Sequence, residues 1–505
     1  MLLSRLNFVQ RYIIPVKLSR KYNTSSKVVD RNLSYKYVEG RLPLVDITVG
    51  QLMKQSVEQW PDRDCIVSLH QGIRLTYRDV LKKSDKFAAG LKNLGLKKGD
   101  RVAIWGVNDA EWLIAFLATS KIGLIMAGIN YSFQQQEIDY CLNKVQAKAV
   151  LSPNYYKNQD NSKILLNSIN NCPDLKHIIL WGHDACVTGT RRFCDVENLA
   201  SSIEVEAVEK DQDELSCNIG CNIQFTSGTT GLPKAPLLSH RSLVNNGIQI
   251  ADRENLTESH HKICFNVPFF HAFGIVQGHM AGIAAGSTFV LQSPTFNPKH
   301  AIDAIVKEKC TIAFGTPTMW VNMLDVQERV NAPIKTLKMT VAGGAYVSPA
   351  LRMKIENTFG IDNFMTVYGL TEGTAMMFQS QLGESAEVAH DTVGYVQNYI
   401  EAMVVGNDNL PVPFGSEGEL WVRGYNVMMG YWEDIENTNK TINKDGWLKT
   451  GDKFILRKDG YGRIIGRLKD MIIRGGENIF PKVKYNYYLY YNKLLLFIKI
   501  ILLSK

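Results

Sequence analysis

The chain has no run of 18 or more apolar residues, so a transmembrane helix is not expected. Cysteine is present but unpatterned: nine residues, an odd number, scattered from Cys65 to Cys310. Cys217 and Cys221 stand four apart without a second pair at ligand spacing. That argues against a structural zinc site or a disulfide framework and leaves ordinary buried thiols. Internal repeats and long low-complexity linkers are absent. Acidic residues are missing from both ends. Residues 1–29 carry six basic side chains (Arg5, Arg11, Lys17, Arg20, Lys21, Lys27) and no acid; residues 482–505 carry five (Lys482, Lys484, Lys493, Lys499, Lys505) and no acid. The formal charge is +8, so these eleven charges leave the rest of the chain at −3. The body therefore gives no support for a nucleic-acid partner. With 505 residues, 45% hydrophobic and 21% charged, the chain is too apolar for disorder and suits two or three domains.

The two ends need separate explanations. Drawn as a helix, Leu2, Leu6, Val9 and Ile13 share one side, with Ser4, Asn7 and Arg11 opposite. An Arg-rich, acid-poor amphipathic leader has the composition of a mitochondrial transit peptide, expected over 1–28, and a matrix location follows; the alternatives are a basic tail and a cytoplasmic protein. Gln10 and Arg11 interrupt the apolar core that a secretory signal would need. At the other end, 494–503 is apolar except for Lys499 and too short to span a bilayer. It reads either as a tail giving peripheral membrane contact or as A/T-rich read-through that does not belong to the fold.

Between the ends, short apolar runs alternate with amphipathic stretches. Residues 101–107 read as a buried strand, and Asp109 as the cap of a helix running to Ile122. Residues 124–129 form a second strand and 137–145 a second helix, with further short strands at 149–151, 177–181, 223–226, 264–267, 312–314, 339–342 and 364–367. This alternation argues for α/β layers with largely parallel sheets. After Thr392, Gly/Pro-punctuated runs at 419–423, 447–450, 454–457 and 462–466 point to a small, mainly β subdomain.

Four motifs carry chemistry. QFTSGTTGLPK at 224–234 follows a strand and combines backbone freedom, hydroxyl donors and a lysine, which suits a phosphate. A Walker loop is excluded, because Lys234 precedes Ala235 rather than Ser or Thr. YGLTE at 368–372 follows a strand, where ligands bind in open α/β sheets: a ring to stack on a base, a hydroxyl for a phosphate, a carboxylate for Mg2+. TGD at 450–452 places an acid on a turn, suited to the two hydroxyls of a ribose. GRLKDMIIRGGENIFP at 466–481 offers Arg467 to a phosphate.

In this order and spacing, over about 45–481, the motifs resemble the adenylate-forming superfamily of acyl-CoA synthetases, luciferases and peptide-synthetase adenylation domains. PFFHAFG at 268–274, GGA at 343–345 and GELWVRGYNVMMGYW at 418–432 fit as well. MIIRGGENIFP and RGYNVMMGYW look most like the mitochondrial medium-chain fatty-acyl-CoA synthetase branch. The resemblance implies an α/β fold: a large multi-sheet adenylate-forming N-terminal domain, with its AMP-binding body at 42–392, and a small β-rich subdomain at 393–468. A hinge region at 469–481 would follow, with the small C-terminal α+β domain missing.

The activity implied is that of a fatty acid–CoA ligase. A carboxylate attacks the α-phosphorus of ATP with Mg2+ present, pyrophosphate leaves, and CoA then takes the acyl group from the acyl-adenylate. Thr226, Ser227, Gly228, Thr229, Thr230, Gly231 and Lys234 would hold the triphosphate. Tyr368 would face the adenine with Gly344 and Ala345 opposite, Thr371 would contact the α-phosphate, and Glu372 the metal. Asp452 would bind the ribose and Arg467 the ribose or phosphate. His271 would sit where the acyl and adenylate pockets meet; its alternative is a histidine packed beside Phe269, Phe270 and Phe273. Other readings are a noncatalytic nucleotide- or acyl-binding protein and another acid-adenylating ligase. Acyl chain length and oligomeric state are not encoded in any motif.

Two departures stand out. The family usually has Gly after the loop lysine, and Ala235 is tolerable there only at negative φ. Beyond Pro481 the family continues into a helix and a domain of roughly 100 residues. That domain carries a second lysine and rotates about a hinge matching Lys469 to admit CoA. The 482–505 segment is too short for such a core. The expectation is that this polypeptide loses thioester formation and adenylates slowly.

Overall fold

A computed structural model describes residues 32–226 and 232–468, and the backbone of 472–474 and 477–479. The expected leader at 1–28, the loop residues Ser227, Gly228, Thr229, Thr230 and Gly231, and the 482–505 tail lie outside the described residues. Of the expected hinge, only two short strands, Ile472–Arg474 and Glu477–Ile479, are described, paired antiparallel.

Three sheets organise the molecule. In the eight-stranded sheet, Arg191–Arg192, His177–Trp181, Ala149–Pro153, Arg101–Trp105, Ile125–Ile129 and Gly220–Gln224 run parallel in that order. Pro236–Ser239 and Gly430–Tyr431 close its edge antiparallel. In the nine-stranded sheet, six strands from Asn363–Tyr368 through Met339–Gly343, Ile312–Gly315, Lys262–Phe265 and Thr288–Leu291 to Asp64–Ser68 are parallel. Their continuous apolar runs follow from helices covering both faces. The third sheet is five-stranded and antiparallel: Tyr35–Tyr37, Ile400–Val405, Glu417–Gly424, Leu448–Leu456 and Gly462–Arg467. Its strand Leu448–Leu456 alternates buried and half-buried residues, as a sheet covered on one face requires.

The largest core lies between the two big sheets, where helices Val49–Gln59, Tyr77–Asn93, Ala110–Lys121 and His240–Arg253 pack. Helix Ala110–Lys121 is buried almost all round, so its sequence is apolar on every side rather than striped. Three helices cover the outer face of the nine-stranded sheet: Pro298–Glu308, Pro317–Val330 and Pro349–Phe359. Each starts with an Asn, Thr or Ser cap followed by proline and ends at a left-handed residue, Lys309, Asn331 or Gly360.

Asp109 departs from its expected role. It occupies the cap position, but its side chain makes no capping bond. Its carboxylate pairs instead with His70 Nε2 and accepts from Trp181 Nε1, both at 2.7 Å. Gln71 Oε1 accepts from the Ala110 N–H in its place. The carboxylate thus ties the helix start to both large sheets, a tertiary use that local capping rules do not anticipate.

Candidate functional site

Strand register brings two of the motifs side by side. Gly343 pairs with Val367, so the GGA and YGLTE segments leave neighbouring parallel strands at the same end. Gly344 has φ +81°, which favours glycine. Across from them, Asp452 pairs in register with Arg467 in the five-stranded sheet. Gly344, Ala345, Tyr368, Asp452 and Arg467 line one cavity of about 680 Å3.

Asp452 is fully buried there. Its Oδ2 accepts from the Tyr368 hydroxyl at 2.6 Å, and its Oδ1 lies 2.9 Å from Arg467 Nε. Burial pushes the carboxyl above its ordinary range, and Arg467 and the Tyr368 hydroxyl oppose that shift. Tyr368 packs against Phe454 and Phe378, with ring centroids at 5.6 and 6.1 Å. Its hydroxyl is spent on Asp452, so the ring is what it presents to the cavity. A carboxylate held at two points still has lone pairs for further donors, as a vicinal diol would require.

The phosphate-loop candidate is pinned at its neck. Thr226 and Lys234 exchange both backbone hydrogen bonds, at 2.8 and 2.9 Å. The Tyr140 hydroxyl donates to Pro233 O at 3.0 Å. Thr226 Oγ1 is buried with no partner among the described residues, an orphan in a position to meet an acceptor-rich ligand. Ala235 is fully buried and is not among the positive-φ residues, so its methyl costs no backbone strain.

Thr371 and Glu372 sit in a single 3-10 turn, Thr371–Gly373. Thr374 (φ +51°) and Ala375 (φ +68°) follow, both left-handed, which is strained for residues with a Cβ. Neighbouring chains hold them there. Asn246 Nδ2 donates to Thr374 O and Met376 O, Asn426 Nδ2 donates to Gly373 O, and Thr374 Oγ1 donates to Asn426 O. Gly369 makes the fold-back possible: a Cβ there would lie 1.7 Å from Ala375 O. Glu372 Oε1 accepts from the Tyr431 hydroxyl at 2.8 Å. Lys234 Nζ stands 4.9 Å from the centroid of the same ring. Lys234 and Glu372 therefore meet through Tyr431.

His271 is solvent-exposed rather than packed into the Phe269–Phe270–Phe273 segment. Desolvation by the surrounding protein lowers the imidazole below its usual value. Its Nδ1 lies 3.1 Å from the Phe273 N–H, which donates to it, so the neutral ring carries its proton on Nε2. No hydrogen bond joins it to either cluster above among the described residues.

Sequence reasoning missed Tyr431, Asn246 and Asn426. Tyr431 lay within the quoted 418–432 block, but nothing in that segment shows that it pairs with Pro236, two residues after the loop lysine. Among the described residues, no group of three or more His, Cys, Asp or Glu could hold a metal on its own. One carboxylate, Glu372, fits a Mg2+ ion that takes most of its ligands from phosphate and water.

Comparison with known proteins places the chain in a family. Residues 53–432 match the family model described as AMP-binding enzyme. The chain is 38% identical over 472 residues to the medium-chain acyl-CoA ligase ACSF2, mitochondrial, of Danio rerio, covering 89% of this chain and 77% of that protein. It is 35% identical over 482 residues to the protein of the same name from Homo sapiens, covering 90% and 78%. Its fold superposes on ATP-bound MatB from Rhodopseudomonas palustris with a TM-score of 0.71 at 24% identity, covering 86% of this chain and 82% of that one.

Proposed function

The chain belongs to the family of AMP-binding enzymes, and from that membership we propose an ATP-dependent acid–thiol ligase acting on fatty-acid-like carboxylates. The observation that carries the reading is the cavity in which a fully buried Asp452, braced by Tyr368 and Arg467, faces the GGA and YGLTE strand ends.

Adenylation brings a carboxylate up to a polyphosphate, so the residues have mainly to position groups and spread charge. In this reading Asp452 takes the ribose hydroxyls and Tyr368, Gly344 and Ala345 enclose the base. The 226–234 loop with Lys234 holds the triphosphate, while Thr371 and Arg467 contact phosphate or ribose oxygens. Glu372 would hold Mg2+, which neutralises phosphate charge when bound. Neutral His271, with its proton on Nε2, donates a hydrogen bond toward the acyl carboxylate without bringing a charge of its own. CoA is the acceptor in the second half-reaction, releasing AMP.

Medium-chain acids are the proposed substrates and mitochondria the proposed location. The names of the relatives and the composition of the leader support both. The test is fatty-acid-dependent exchange of label between pyrophosphate and ATP, with acids of graded length. Exchange above the acid-free blank, greatest with medium-chain acids, is expected. ATP binding without exchange for any acid would instead favour a noncatalytic binding protein.

A further inference from the structure

Lys234 and Glu372 carry opposite charges and both contact Tyr431, yet among the described residues no ion pair joins them. Half-buried side chains of opposite sign on either side of one ring attract each other. Direct contact would neutralise both, taking the cation from the phosphates and the anion from the metal. The aromatic side chain prevents this in two ways. Its ring face seats the ammonium by cation–π attraction at 4.9 Å. Its hydroxyl donates to Oε1 of the carboxylate at 2.8 Å, and no described residue hydrogen-bonds Oε2.

Tyr431 is itself firmly held. It is 6% exposed, and its strand pairs with Pro236–Leu237. Its N–H donates to Thr438 Oγ1 at 2.9 Å. Met428 N–H donates to Glu372 O at 2.8 Å, so the 428–431 segment grips the 371–373 turn by main chain and side chain together.

We propose that Tyr431 is a positioning residue that holds the loop lysine and the metal-binding carboxylate apart and aims Glu372 Oε2 at Mg2+. This rests on the ligase reading above. It adds a role for a side chain that touches neither base nor ribose.

Calorimetric titration of ATP, with Mg2+ and with a chelator, tests the proposal on folded wild type, Tyr431→Phe, Tyr431→Leu and Tyr431→Leu/Glu372→Gln, with thermal melts as the folding control. Tyr431→Phe keeps the ring and should bind ATP without metal as wild type does. The gain in affinity that Mg2+ confers should fall by about ten- to a hundredfold, the usual cost of losing a group that orients a metal ligand. Tyr431→Leu should also lose metal-free affinity, because Lys234 collapses onto Glu372. Adding Glu372→Gln should restore that metal-free affinity by releasing the lysine. A full Mg2+ gain in folded Tyr431→Phe, or no restoration in the double variant, would overturn the proposal while leaving the ligase reading intact. Wild type that binds no ATP would overturn both.

Discussion

Two buried polar groups give the sharpest tests at the scale of single residues. Thr226 Oγ1 is buried without a partner among the described residues, which in a purely structural residue would be a net cost. Thr226→Val, which keeps the shape, should leave the melting temperature unchanged or higher while ATP affinity falls several-fold in calorimetry. A loss of stability with unchanged affinity would make the hydroxyl structural. Glu254 is the second. It is buried, accepts from Gln277 Nε2 and Gln379 Nε2, and burial raises its pKa from 4.5 to about 8 against those bonds and Arg253. Between those two values the unfolded chain has released this proton and the folded chain retains it, so Glu254 makes stability fall as pH rises. Glu254→Gln should flatten that fall in thermal melts taken across the interval. Gln277 Oε1 has no partner among the described residues and can accept from the new amide after a flip. Neither effect could be found from sequence, because a Thr after a strand and a Glu at a helix end look ordinary until burial is known.

Elements were readable to the extent that their signals are local. The strands at 101–107, 177–181, 339–342 and 364–367 all appear, with ends shifted by two residues at most, because continuous apolar runs between breakers have few other uses. Asp109 shows the limit: its position marked the helix start, but its carboxylate went to His70 and Trp181, which are 39 and 72 residues away. The turn after YGLTE was likewise hidden. Its left-handed Thr374 and Ala375 are imposed by Asn246, from the helix His240–Arg253, and by Asn426, from the turn after the strand Glu417–Gly424. Gly369→Ala should break this turn first, since its Cβ would meet Ala375 O at 1.7 Å. We expect nucleotide binding to be lost and the melting temperature to drop by several degrees, as for a strain of about 2–3 kcal/mol. Unaltered binding would mean that the turn does not shape the site.

Assembly depends on contacts that span nearly the whole chain. Tyr35–Tyr37 enters the five-stranded sheet beside Ile400–Val405, and the Tyr35 hydroxyl donates to Glu401 at 2.7 Å. Gly430–Tyr431 crosses to the edge of the eight-stranded sheet to meet the strand after Lys234. The site is therefore built from all three sheets, with the 226–234, 343–345 and 368–372 motifs at strand ends or turns; TGD, expected on a turn, lies instead inside the strand Leu448–Leu456, where sheet pairing with Arg467 sets the place of Asp452. The motifs and their order were visible in sequence; the Tyr431 bridge was not, because it depends on the pairing of strands some 190 residues apart, a non-local register that local patterns do not specify. The net charge also changes meaning at this scale. Its surplus sits in the two terminal segments, while the body works with a few placed cations, Lys234 and Arg467 first.

The central claim is that the cavity at these strand ends is an acyl-adenylate site with Asp452 as its ribose anchor. The most direct measurement is calorimetric binding of a non-hydrolysable medium-chain acyl-sulfamoyl adenosine to wild type and to Asp452→Ala. We predict one molecule bound per chain, displaced by ATP, with affinity falling about ten- to a hundredfold in the variant as hydrogen bonds to a charged group are lost. Binding that is absent in wild type, or equally tight in folded Asp452→Ala, would contradict the account.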